Sequence, residues 1–239
     1  MSEKIPISIS LLFAAVVLGL FVGILLVLRA AAFRNDLAAG RRRRMLVVVG
    51  VGIGAWLLAT GMLAWRGFFA DFESFPPHMA VAIVPPTIFL VILFANSSFR
   101  AFLRSVPKRW LVEFQTFRIV VEIVLWMLFA NEIIPEILTF EGQNFDLLVG
   151  VSAPLMGYFA YRSRVLGERW VVLWNVLGLA LLMNVVVTSA LTTPGPIGVI
   201  EASPPNTLIA HLPFVWLPSF VVPTAIAGHI ASIIRASDA

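Results

Sequence analysis

Ile5-Pro-Ile-Ser-Ile-Ser-Leu-Leu-Phe-Ala-Ala-Val-Val-Leu-Gly-Leu-Phe-Val-Gly-Ile-Leu-Leu-Val-Leu28 carries no ionisable side chain, and Arg29, Arg34 and Arg41-Arg42-Arg43-Arg44 follow it. About 20 apolar residues in a row cross about 30 Å of hydrocarbon as an α-helix. The run is too long for the apolar centre of a cleavable signal, about 7–15 residues, so it reads as a retained span. Such a span must be helical, because an isolated segment satisfies its backbone in lipid only that way.

The composition agrees over the whole chain. Of 239 residues, 60% are hydrophobic and 13% charged, with a mean hydropathy of +0.96. Soluble domains hold about 45–50% apolar and about 25% charged residues. A water-soluble enzyme, a disordered chain and a disulfide scaffold are excluded. The absence of cysteine removes disulfides, thiolate metal sites and a cysteine nucleophile. The +4 net charge is concentrated in short loops, where it encodes orientation, and no nucleic-acid partner is expected.

Seven apolar runs follow: 6–29, 45–66, 79–98, 110–134, 146–162, 170–192 and 211–234. The fold class expected is an all-α bundle of seven transmembrane helices forming one domain, 1–239. Arg100, Arg104, Lys108 and Arg109 follow the third run, Arg162, Arg164 and Arg169 the fifth, and Arg235 the last. Glu3, Asp71, Glu73, Glu132, Glu136, Glu141, Asp146 and Glu201 gather in the alternate connections, with Lys4 and Arg66 as the cations there. The positive-inside rule then places the N-terminus outside and the C-terminus inside. Trp65, Trp110, Trp170 and Trp216 fall near span ends, where indoles prefer the interface; Trp56, Trp126 and Trp174 lie deeper and read as packing. A bacterial cytoplasmic membrane is the expected location. The partners expected are the bilayer and, at Arg41, Arg42, Arg43 and Arg44 in the first inner loop, anionic lipid headgroups.

Helix packing has its own signals. Gly19 and Gly23 in the first span, and Gly50, Gly52, Gly54 and Gly61 in the second, read as sites of close helix approach. Ile83-Val-Pro-Pro-Thr-Ile88 and Phe220-Val-Val-Pro-Thr-Ala225 resemble each other locally. Both put proline inside a span, where a kink is expected, and the seven-span order permits a parallel 3+1+3 repeat. The sixth connection, Thr193 to Pro213, contains five prolines and reads as a stiff cap over the outer mouth.

The chemistry centres on the fourth span. Gln115, Arg118 and Glu122 are spaced i, i+3, i+7 and share one helical face. Glu122 stands about 18 Å along the span, near mid-depth. An ion there costs at least about 2.5–3.5 kcal/mol, so ionisable groups at that depth are functional candidates. An i, i+4 pair between Arg118 and Glu122 is the expected neutralisation. Asn175, Asn184 and Thr188 of the sixth span, Tyr158 of the fifth and Thr224 of the seventh complete a candidate substrate or ion pathway. Glu141, Asn144 and Asp146 form a candidate outer vestibule. Asn144 is the expected cap of the fifth helix, and Asp146 lies in its first turn, where an anion suits the helix dipole.

His211 and His229 are about 27 Å apart along one helix and cannot share a ligand. No metal site, catalytic motif or identifiable cofactor emerges. Lys4 and Lys108 are the only lysines, and neither lies within a span core, which excludes a retinal Schiff base. The function expected is a transporter or channel for a small solute, coupled to a proton or cation through the Arg118–Glu122 pair. The alternative is a membrane subunit or sensor that binds a lipid, quinone, pigment or protein partner.

Overall fold

The computed structural model describes residues 5–237. Glu3 and Lys4, counted above with the outer residues, lie outside that range. Among the described residues all regular structure is helical and no strand occurs. The helices are α1 (Ile7–Arg34), α2 (Ala39–Trp65), α3 (Ala80–Ala95), α4 (Ser97–Leu103), α5 (Lys108–Glu113), α6 (Arg118–Ala130), α7 (Asp146–Tyr161), α8 (Glu168–Thr192) and α9 (Val222–Ser237). Four stretches are long and apolar enough to cross a membrane: α1, α2, α8 and Leu217–Ser237, the last being α9 with the π-helical turn before it. The chain is an all-helical membrane protein.

The remaining expected spans are built less simply. α3 and α4 turn through 80° at Asn96, whose side chain accepts the Phe99 N–H at 3.0 Å and caps the second helix. The fourth expected span is α5, a tightened 3-10 turn at Phe114–Phe117, and α6. α7 has 16 residues, about 24 Å. It is short because the connection 131–145 folds back into the protein and buries Ile134, Leu138, Thr139 and Asn144. Its backbone bonds internally, Asn144 N–H to Thr139 O and Gln143 N–H to Ile137 O. Gly142 lies so close to the Glu136 carbonyl that no side chain fits.

The main core joins Ile9, Phe13, Val17 and Leu20 of α1 to Val121, Val124, Leu125 and Leu128 of α6, closed by Phe214. The sixth connection is a packed cap, tied to α8 by Asn206 Nδ2, which donates to the Ser189 carbonyl and hydroxyl at 3.0 and 2.9 Å.

Glycines do bring helices together, and part of the expected set takes part: a Cβ would lie 3.3 Å from Leu212 at Gly61, 3.7 Å from Phe114 at Gly23 and 3.8 Å from Leu25 of α1 at Gly50. A Cβ built on Gly19, Gly52 or Gly54 would meet nothing within 4 Å. At Gly150 it would lie 2.9 Å from the Ile119 backbone, at Gly157 2.7 Å from Glu113, and at Gly178 2.5 Å from the His229 ring. The tight seams therefore run between α7 and the α5–α6 run and between α8 and α9. α2 packs chiefly along α1 and meets the segment before α9 through Leu57, whose carbonyl accepts the Trp216 indole N–H at 3.0 Å, and through Gly61 against Leu212. The four arginines also differ from expectation: α2 begins at Ala39, so Arg41–Arg44 form its opening turns rather than a loop. Arginine is a good helix former, and the Arg42 guanidinium stacks 3.6 Å from the Phe33 ring.

The two proline motifs are different devices. Pro85 and Pro86 lie inside α3, whereas Pro223 follows the π-helical turn Leu217–Val221. Pro223 has no N–H, so the Ser219 carbonyl four residues earlier loses its helical donor. Trp56 replaces it, its Nε1–H donating at 2.9 Å. That indole is a cross-helix hydrogen-bond donor as well as packing.

Candidate functional site

Gln115, Arg118 and Glu122 all turn inward, 0%, 2% and 1% exposed. The 3-10 turn just before Arg118 eclipses positions three apart and so aligns Gln115 with it. Arg118 and Glu122 form no ion pair, however. α7 runs antiparallel to α6, and the close approach at Gly150 sets Asp146, one turn earlier, against Arg118. Asp146 Oδ1 lies 3.2 Å from Arg118 Nη1. The distance is that of an ion pair, but the direction is not that of a hydrogen bond, and Asp146 Oδ1 has no hydrogen-bond partner. The i, i+4 expectation is thus corrected: Arg118 is neutralised across two helices, and Asp146 belongs to this cluster rather than to an open vestibule.

Glu122 is held by Asn144 instead. Asn144 Nδ2 lies 2.9 Å from each Glu122 oxygen and 3.0 Å from the Leu138 carbonyl. Its own Oδ1 accepts the Asp146 N–H at 3.0 Å. The cap position itself is Phe145, with no side-chain bond, so Asn144 stands one residue before the expected cap, where its amide engages the first N–H of α7 and also positions a buried carboxyl. Both jobs require the fold-back at 131–145, which sequence periodicity does not announce.

On the other side of Arg118 stands His229, for which spacing along the chain indicates no partner. Arg118 Nη1 is 3.3 Å from His229 Nε2. Arginine only donates, so Nε2 accepts and the ring proton sits on Nδ1, 2.8 Å from Asn175 Oδ1. Asn175 Nδ2 in turn donates to Ser232 Oγ at 2.9 Å and to Val171 O at 2.8 Å. Gln115 Nε2 donates to Ala225 O at 3.0 Å. The result is a buried polar chain, Glu122–Asn144–Asp146–Arg118–His229–Asn175–Ser232, crossing from α6 and α7 to α8 and α9. Arg118 Nε and Nη2 and Gln115 Oε1 have no hydrogen-bond partner among the described residues.

Other expected pathway residues do not join it. Asn175 and Asn184 are nine positions apart, half a turn out of phase on α8. Asn184 is exposed and donates to the Gln143 carbonyl at 2.7 Å. Thr188 is buried, and its carbonyl accepts the Thr192 hydroxyl. Tyr158 is exposed, and Thr224 faces a separate apolar cavity. Glu141 accepts the Trp126 indole N–H at 2.8 Å on an exposed face. The vestibule residues are thereby split, Asn144 and Asp146 going to the buried chain and Glu141 to the surface.

Two flanking groups are structural. Lys108 pairs with Glu168 at 2.6 Å, and Glu113 pairs with Arg109 at 2.7 Å. In the loop after α2, His78 Nδ1 is engaged by the Phe68 carbonyl at 2.9 Å. The Ser74 hydroxyl on Asp71, together with local backbone N–H groups and His78, holds that carboxyl below its ordinary range.

Residues 75–236 match the family described as Domain of unknown function (DUF8737). The chain belongs to this family. No curated protein matches it, and no solved structure does. The DUF8737 match starts after α2 and contains every member of the polar chain, while α1 and α2 lie outside it.

Proposed function

We propose that this protein is a transporter or channel of the bacterial cytoplasmic membrane. In this reading seven spans run with the N-terminus outside and the C-terminus inside, and a small solute moves with a proton or cation bound at Glu122 and Asp146. The observation that carries the reading is the charge count: two buried carboxyls face one buried arginine. Arg118 balances one carboxylate. The other needs a proton or an incoming cation, because an unbalanced ion in a low-dielectric interior is too costly to persist. Gain and loss of that particle is what a coupling site does, and intramembrane carboxyls beside an arginine mark such relays. The orientation is supported by the alternation of basic and acidic connections.

The test is proton uptake by proteoliposomes loaded with a pH-sensitive dye, driven by a potassium diffusion potential. Wild-type vesicles acidify faster than empty ones. E122Q keeps an amide-sized group against Asn144 but cannot release a proton, so its uptake falls to the empty-vesicle rate while its melting curve persists. Wild-type rates in the folded E122Q variant would overturn the role given to Glu122.

A second reading has its own observation. A cavity of about 890 Å³ is lined by α1, α2, α3, α4, α5 and α9 and is almost wholly apolar. It favours the alternative, a membrane subunit or sensor with an apolar ligand. A quinone, lipid or pigment retained through purification, with no flux, is its signature.

A further inference from the structure

We propose that this cavity binds one anionic phospholipid, its acyl chains inside and its phosphate among Arg34, Arg41 and Arg100. The volume, about 890 Å³, lies toward the upper end of ligand pockets, roughly 300–1,000 Å³. Its walls are Met45, Val49, Gly52 and Ile53 of α2, Phe89 and Leu93 of α3, and facing residues of α9. A chain of methylene groups is the chemistry such walls accept.

The choice of headgroup comes from the mouth. α4 leaves α3 at 80° and closes one end of the cavity with Phe99 and Phe102, while Arg100 on the same short helix is exposed. Trp110 lines the same end, and the Arg34 guanidinium lies 5.2 Å from its ring. Arg41 stands one turn before Met45, extending the cavity-lining stripe of α2 past its apolar part. Among the described residues neither Arg41 nor Arg100 has a side-chain hydrogen bond, ion pair or ring contact. Arginines borne by α1, α2 and α4, each of which also lines the apolar cavity, complement a molecule with an anionic head and hydrocarbon tails. A quinone or pigment offers those cations no anion. The assignment to the inner leaflet rests on the proposed orientation; the binding itself does not.

The full chain in mild detergent is offered equal amounts of phosphatidylglycerol and phosphatidylcholine, and bound lipid is counted by native mass spectrometry. One phosphatidylglycerol per chain is expected, preferred by roughly tenfold or more. R34Q/R41Q/R100Q equalises the two lipids. G52F expels both with an unchanged melting curve, since a Cβ at Gly52 meets nothing within 4 Å and Gly52 lines the cavity. Equal retention by the wild type, undiminished retention by G52F, or a quinone, pigment or second copy of the chain found in place of lipid overturns the proposal. E122Q should retain lipid like the wild type, so loss of flux and loss of lipid are separate results.

Discussion

An arginine that is 2% exposed must keep its charge matched, and Arg118 does so with a carboxylate from another helix. Removing one partner of such a pair leaves the other buried and uncompensated, at about 3–5 kcal/mol. R118Q is expected to lower unfolding free energy in detergent by about that amount, and D146N by less, because Glu122 is still present to balance Arg118. The double variant should cost clearly less than the sum, because neither orphan charge remains. Additivity within about 0.5 kcal/mol would mean that the two groups do not sense each other. The outcome isolates Asp146, because Glu122 is held by the Asn144 amide and forms no direct ion pair with Arg118. Sequence spacing identified Gln115, Arg118 and Glu122 correctly as one inward face, since helical phase is a local property. It paired Arg118 with the wrong carboxylate because i, i+4 proximity is the only pairing a single helix reveals. Asp146 is 28 positions away along the chain, and only the fold-back at 131–145 brings it near.

At the scale of helices, the seams that position the cluster depend on missing side chains. Gly178 faces the His229 ring, and a Cβ there would lie 2.5 Å from Cε1 and 2.8 Å from Nε2. G178A must push α8 from α9 or turn the imidazole away from Arg118. Overpacking of this kind costs about 1–3 kcal/mol, and flux should fall with it. G54A, where a Cβ meets nothing within 4 Å, is the matched control and should leave stability and flux alone. Equal melting temperatures for the two variants would show that the α8–α9 seam is looser than described. The expected glycine seam in the first two spans is used at Gly23, Gly50 and Gly61 and not at Gly19, Gly52 or Gly54, for a physical reason: small residues permit close approach but do not oblige it. Which glycines are used depends on partners elsewhere in the chain. By contrast α8 was legible almost to its ends, because a long apolar run between charged loops has no other solution in lipid.

At the scale of the molecule the open matter is topology, and the absence of cysteine makes it testable without background. Apolar length alone supports α1, α2, α8 and Leu217–Ser237 as crossings. The bent α3–α4 pair, the α5–α6 run with its 3-10 turn and the 16-residue α7 are less direct. Each departs from a plain span through a tertiary feature: a bend at Asn96, a tightened turn, a connection folded inward. Hydropathy averages over those features, so it detects the apolar runs without their breaks. The proposed orientation draws on charge placement, because arginine and lysine translocate poorly and favour the inner side for the loops that bear them. Single cysteines at Ser105 and Ser163 should therefore react with an impermeant thiol reagent in inside-out vesicles only. Those at Ser74 and Ser203 should react in intact cells only. Reaction of Ser105 and Ser163 from opposite sides would mean that the segment between them crosses an odd number of times. In that case either the α5–α6 run or α7 fails to traverse. The paired carboxyls would then open toward one face alone, and a pathway through them would give way to a one-sided pocket.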